Sequence, residues 1–90
     1  MHDIIVTMKG EIRMQEAIAK ELKSTRIKLG LSMTKVSDDN KFNIETLRRY
    51  ENNCNGLSVE KLIQLLKYYN VNSEIFFRNI CEYMHELQLK

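Results

Sequence analysis

Apolar residues recur at spacings of three and four along most of this 90-residue chain, which is the period of amphipathic helices. Residues that favour helix N-termini, Ser32, Asn43 and Ser58, each precede one of the periodic segments. The chain has no proline, and its three glycines fall between those segments. This pattern predicts an all-α fold, a compact domain of five helices.

The first predicted helix runs from about Glu11 to Leu29 and ends at Gly30, which suits a left-handed C-cap. Its inward positions are predicted to be Ile12, Ile18, Ala19, Leu22, Thr25 and Leu29. Residues 1–10 form an N-terminal extension of undecided structure, since "DIIVTM" fits either a short strand or a frayed helical extension. Residues 11–90 are predicted to form a single domain.

Two short helices follow the first one. Ser32 is the predicted N-cap of a helix from Met33 to about Asn40, with Val36 facing inward. After the connector "KF", Asn43 is the predicted N-cap of a helix from Ile44 to about Asn52. Two short helices joined by about three residues, the second with a polar outer stripe, are typical of a helix-turn-helix.

The segment "NIETLRRYENN" directs Leu47 and Tyr50 to one side of its helix and mostly polar residues to the other. We predict that the outer side contacts DNA bases through Ile44, Glu45, Arg48 and Arg49. Arginine binds guanine edges, glutamate accepts a hydrogen bond from the cytosine amino group, and isoleucine can contact a thymine methyl group. The alternative is a solvated charged surface. The helix-turn-helix context favours DNA, because that motif presents its second helix to the major groove.

Polar residues around the same helix are candidates for contacts with DNA phosphates: Thr34, Lys35, Lys41, Asn43, Asn52 and Asn55. Lysine would neutralise the charge of the DNA backbone. Asn52 and Asn55 have an equally good alternative role, because asparagine is also favoured at helix ends and in turns. Asp38 and Asp39 lie close by in the sequence and make this surface less basic.

The composition limits the function. The net charge of +2 allows an anionic partner without requiring one. No catalytic grouping, cluster of metal ligands or glycine-rich phosphate loop is present in the sequence, so we predict a protein that is not an enzyme and has no metal or cofactor. Cys54 and Cys81 have no CxxC spacing, and the apolar run Ile4–Val6 is too short for a signal peptide or a membrane span. We therefore expect a cytoplasmic protein.

A fourth helix is predicted in "VEKLIQLLKYYN", with the apolar residues Leu62, Ile63, Leu65, Leu66 and Tyr69. A fifth helix, residues 73–88, begins after Asn72 or Ser73 and carries an apolar stripe of Phe76, Ile80, Tyr83, Met84 and Leu87. This stripe either folds back on the first helix or forms a two-fold dimer interface. We predict the interface, since DNA readers of this type bind paired half-sites as symmetric dimers.

Several stretches carry a resemblance: Arg26, "LGLS" at 29–32, Val36 and Ser37, "IETLRRYEN" at 44–52, and "LSVEKLIQLLKYYNVNSEIFF" at 57–77. Through them, residues 19–77 resemble the phage-repressor and Cro-type helix-turn-helix family, also called the xenobiotic-response-element family. The segment "VSDDNKFNIETLRRYENN" is most similar to the DNA-binding heads of Rgg- and MutR-type regulators. The segment "NVNSEIFF" is similar to the small controller proteins of restriction–modification systems.

The resemblance implies a repressor-like domain that binds double-stranded DNA as a homodimer and regulates transcription at an operator. It also implies a structural ion pair between Arg26 and Glu51, because similar proteins pair an arginine and a glutamate there. The alternative function is a helix-turn-helix protein that binds a protein partner, such as an antitoxin or a phage-encoded inhibitor. Met33, Asp38 and Asp39, together with the apolar Ile44, keep that alternative open.

Overall fold

The computed structural model describes the backbone of residues 2–89 and the side chains of residues 14–85. This part of the chain forms five helices: α1 (His2–Lys28), α2 (Met33–Asn40), α3 (Ile44–Asn53), α4 (Val59–Tyr68) and α5 (Ser73–Leu89). The predicted all-α fold is confirmed. α1 begins at His2 rather than near Glu11, so the backbone of residues 2–10 of the predicted extension is helical. Among the residues described, no helix combines the length and the apolar character needed to cross a membrane.

Four of the helices have a side chain that caps their N-terminus through local hydrogen bonds. The side chains of Ser32, Asn43 and Ser58 accept hydrogen bonds from backbone N–H groups in the first turns of α2, α3 and α4, at 3.0, 2.8 and 3.1 Å. Asn72 does the same for α5, because its Oδ1 accepts from the N–H groups of Glu74 and Ile75. These contacts satisfy N–H groups that have no partner within the helix. The predicted N-caps are confirmed, and Asn72 rather than Ser73 caps the fifth helix.

Three helices end in the same way, at a residue with a positive φ angle followed by an apolar residue. The pairs are Gly30–Leu31, Lys41–Phe42 and Asn70–Val71, and the φ angles of their first residues are 71°, 59° and 57°. In each pair the apolar residue's N–H donates to the carbonyl five residues earlier, which is a Schellman motif. The motif turns the apolar residue back toward the core. Leu31 therefore packs inward, whereas Leu29, which was predicted to be inward, is 49% exposed.

The core takes side chains from all five helices. Each helix contributes one that is at most 1% exposed: in the order α1 to α5, these are Leu22, Val36, Leu47, Leu65 and Phe76. Burying a side chain of this size stabilises the fold by roughly 1.5–3 kcal/mol. Ile63 of α4 is 45% exposed and lies outside this core. α1 packs directly on α3 and α5, and α2 packs on α3 and α4, so α3 is supported from two sides.

The apolar stripe of α5 lies largely inside the single chain. Phe76 and Ile80 are 1% and 4% exposed and belong to the core, and Tyr83 and Met84 pack against that core. The assignment of Phe76 and Ile80 to a dimer interface is therefore wrong, because α1 covers this face of α5. The side chain of Leu87 lies outside the described residues.

Candidate nucleic-acid interface

α3 is buried along one face and exposed along the other. Leu47 and Tyr50 are 0% and 5% exposed, and the ring of Tyr50 meets that of Phe42 edge-on, with 5.7 Å between the ring centres. Phe42 belongs to the turn before α3, so this contact joins the turn to the core. The inward face of α3 is thus the one that the sequence predicts, and its opposite face is open.

A buried ion pair fixes α3 against α1. The Nε and Nη2 atoms of Arg26 donate hydrogen bonds to the two carboxylate oxygens of Glu51, at 2.8 and 3.0 Å. The Arg26 Nη1 atom also donates to the Leu31 carbonyl at 2.9 Å. The hydrogen bond with Glu51 raises the pKa of Arg26 above its ordinary value, which keeps the guanidinium charged. Because a bidentate pair constrains orientation as well as distance, it holds α3 relative to α1 and to the turn after α1.

The outer face of α3 presents the predicted base-contact residues. Glu45, Arg48 and Arg49 are exposed, and Ile44 is half-buried at the start of the helix. Each arginine contacts the residue three positions earlier. Arg48 forms an ion pair with the carboxylate of Glu45, and Nη2 of Arg49 donates to Oγ1 of Thr46 at 3.3 Å. The charge of Arg48 is therefore partly neutralised by a neighbouring carboxylate, whereas Arg49 has a neutral partner.

A groove of about 390 Å³ lies between α3, the end of α1 and the start of α2. Its lining residues are Lys23, Arg26, Met33, Arg48, Glu51 and Asn52. The groove thus contains the guanidinium of Arg48 and also the exposed side chains of Lys23 and Asn52, which are further hydrogen-bond donors. Lys23 was not among the predicted contact residues. Its position one helical turn before Arg26 was the signal that could have revealed it, since residues at this spacing share a face.

The structure gives Lys35 and Asp39 partners within the chain. Lys35 Nζ lies 3.0 Å from a carboxylate oxygen of Asp39, one turn further along α2. The Tyr68 hydroxyl of α4 donates to Asp39 at 2.6 Å. The pKa of Asp39 lies below its ordinary value, mainly because of the hydrogen bond from Tyr68. The hydrogen bond from Lys35 lowers it further. Lys35 therefore shares its charge with a carboxylate that stays ionised, which weakens its case as a phosphate contact.

Three of the remaining phosphate candidates lie in the connections at the two ends of α3, and the fourth lies on α2. Lys41 and Asn43 are exposed in the turn before α3, Asn55 is exposed in the loop after it, and Thr34 is exposed on the first turn of α2. Asn43 uses its Oδ1 as the N-cap of α3, and the backbone N–H of Asn55 donates to Oδ1 of Asn53 at 2.9 Å. Local hydrogen bonds thus shape both connections and leave polar side chains exposed on each side of the helix.

These features define an all-α helix-turn-helix protein, in which residues 41–43 join α2 to an α3 with an exposed polar face. A protein-family model described as a helix-turn-helix domain matches residues 19–82, and the chain belongs to this family. The matched region extends from α1 into α5 and includes the whole of α2, α3 and α4. No curated protein and no solved structure matches the chain. Membership of the family indicates DNA binding and a regulatory role.

Proposed function

We propose that the chain is a sequence-specific regulator of transcription, of the phage-repressor and Cro type, which binds an operator in double-stranded DNA as a homodimer in the cytoplasm. The observation that carries the proposal is the exposed face of α3, with Glu45, Arg48 and Arg49 on a helix held rigidly by its other face. An α-helix fits the DNA major groove, where each base pair presents a distinct pattern of donors and acceptors.

In this proposal Arg49 is the principal reader. Among the described residues its guanidinium donates to the neutral hydroxyl of Thr46 alone, and it can donate two hydrogen bonds to a guanine edge. Glu45 accepts from a cytosine amino group, and Ile44 contacts a thymine methyl group. Lys23 and Asn52, near one end of α3, bind phosphates on one side of the DNA major groove. Lys41, near the other end, binds phosphates on the opposite side.

The experiment begins with selection of the bound duplex from a random pool, followed by affinity measurements on that duplex and on a scrambled one. Arg49→Ala is expected to weaken binding to the selected duplex by ~1–3 kcal/mol and to relax the preference at particular base pairs. Lys23→Ala is expected to weaken both duplexes alike and to reduce the salt slope by about 0.9, as loss of a phosphate contact does. Lys67→Ala, which removes an exposed lysine from the last turn of α4, is the matched control.

The assignment of α3 to the DNA major groove is refuted if folded Arg49→Ala protein keeps both its affinity and its base preference. A wild-type protein that binds no duplex at low salt, where phosphate contacts are strongest, refutes DNA binding altogether. That result would favour the protein-binding alternative, which the exposed carboxylates of Asp38 and Asp39 on α2 support.

The homodimer needs a surface other than the buried stripe of α5. The outer face of this helix carries Phe77, which is 44% exposed, and the exposed residues Arg78, Cys81 and Glu82. If two copies of α5 pack antiparallel about a two-fold axis near position 80, Arg78 of each copy lies opposite Glu82 of the partner subunit. This face is therefore complementary in charge to itself, and Phe77 and Cys81 lie beside the charged residues on the helix surface.

Sedimentation analysis tests this interface through a charge exchange. Arg78→Glu alone is expected to give a folded monomer, because it places two carboxylates opposite each other. The combined variant Arg78→Glu with Glu82→Arg restores opposite charges across the axis and is expected to restore the dimer. If both variants remain dimeric, or if the wild-type protein is a monomer, the α5 interface is refuted.

A further inference from the structure

The ion pair between Glu45 and Arg48 lies on the exposed face of α3, and the fold does not depend on it. The side chains of Glu45 and Arg48 are 68% and 54% exposed, and pairs this accessible to water contribute little to stability. Asn43 already caps the N-terminus of α3, and Leu47 and Tyr50 anchor the helix in the core. What the pair does change is the charge that α3 presents to a partner.

We propose that Glu45 is a specificity-determining residue that acts as an electrostatic gate, withholding Arg48 from DNA that lacks the operator sequence. The inference rests on the proposed function and assigns a role in rejection to a residue of the same face. On a duplex of arbitrary sequence, the carboxylate of Glu45 competes with phosphate for the guanidinium of Arg48 and keeps it. At an operator, a cytosine amino group donates to that carboxylate and takes the place of Arg48.

The surroundings of Arg48 indicate where the released side chain binds. Arg48 lines the groove that also contains Lys23 and Asn52, two residues suited to a phosphate. A guanidinium that leaves Glu45 therefore adds one phosphate contact to a set already in place. Arg49 is not gated in this way, because its partner within the helix is the neutral hydroxyl of Thr46. The two neighbouring arginines thus differ in function: Arg49 contacts a base, and Arg48 adds a phosphate contact when the operator sequence is present.

The test compares four forms of the 90-residue chain, namely wild type, Glu45→Gln, Arg48→Ala and the double variant, on the selected duplex and on a duplex of random sequence. Affinities are measured by fluorescence anisotropy over a range of salt concentrations. Glu16→Gln is the matched control, because Glu16 is exposed on α1 and lies ten residues before Arg26, roughly 15 Å along the helix. Circular dichroism verifies that each variant is folded.

Glu45→Gln is expected to bind the random duplex ~2–5-fold more tightly than wild type, with a salt slope steeper by about 0.9, because Arg48 becomes free to contact phosphate. Glu16→Gln is expected to change neither value. In the Arg48→Ala background, Glu45→Gln should have no effect on the random duplex. Arg48→Ala alone should flatten the salt slope on the selected duplex and leave that on the random duplex unchanged.

Two results overturn the gate while leaving the proposed function intact, provided that wild type still prefers the selected duplex. In one, Glu45→Gln behaves like Glu16→Gln on random DNA. In the other, the tighter binding persists without Arg48, which would mean that Glu45 acts by direct repulsion of phosphate alone. Failure of the wild-type protein to bind any duplex overturns both the gate and the function on which it rests.

Discussion

Replacing Arg26 by methionine is expected to destabilise the fold more than any substitution on the outer face of α3. The change removes both hydrogen bonds to Glu51, whose side chain is only 4% exposed, and leaves a carboxylate without its buried counterion. It also removes the donor to the Leu31 carbonyl. Breaking a buried pair in this way costs ~3–5 kcal/mol. Since a domain of this length is stable by roughly 5–13 kcal/mol in total, the loss is a large fraction of its stability.

The measurement is urea denaturation followed by far-ultraviolet circular dichroism, together with a thermal melt. For a domain of this size, a loss of 3–5 kcal/mol corresponds to a fall in Tm of roughly 12 °C or more. Lys28→Met is the control, because it places the same new side chain at an exposed position in the last turn of α1. Such a surface change is expected to stay within about 0.5 kcal/mol of wild type.

A second variant tests the cause of the loss. Arg26→Met combined with Glu51→Met replaces the whole pair by apolar side chains, and such replacements are often neutral or stabilising. The double variant should therefore be more stable than Arg26→Met alone. If the single variant loses less than about 1 kcal/mol, or if the double variant is the less stable of the two, the account of a stranded buried charge is wrong.

Three further outcomes are expected. Lys41→Gly should raise the free energy of unfolding by ~0.5–1 kcal/mol in urea titrations, because Lys41 has a φ angle of 59° that glycine adopts without strain. Tyr68→Phe should raise the pKa of Asp39, measured by NMR of its carboxyl carbon, toward the ordinary 3.8. The contact of Asp39 with Tyr68 stabilises the fold above that pH and is lost as the pH falls through the lower folded value. At pH 8 a thiol reagent should modify the exposed Cys81 before Cys54, since burial raises the pKa of Cys54 to about 11, which mass spectrometry can follow.

The helices and their starts were predictable because the interactions that set them are local. Ser32, Asn43 and Ser58 each bond to an N–H two or three residues ahead, so the cap and its partner stand in one short segment. Periodicity likewise placed Leu47 and Tyr50 on the inner face of α3. The candidate reading face follows from the same arithmetic, because the residues that do not face the core face outward.

The partners of the side chains depend on contacts between distant segments, which a repeat of three and four does not identify. The stripe on α5 was correctly recognised as apolar, yet only the packing against α1 showed that Phe76 and Ile80 are covered within one chain. In the same way, the hydroxyl of Tyr68 donates to Asp39, which lies 29 positions earlier in the sequence. Asp39 in turn forms an ion pair with Lys35. A pattern along the chain indicates that a helix face must be buried or that a charge must be compensated. The tertiary fold decides which helix covers that face and which side chain compensates that charge, because both depend on distances between residues that are far apart in the sequence.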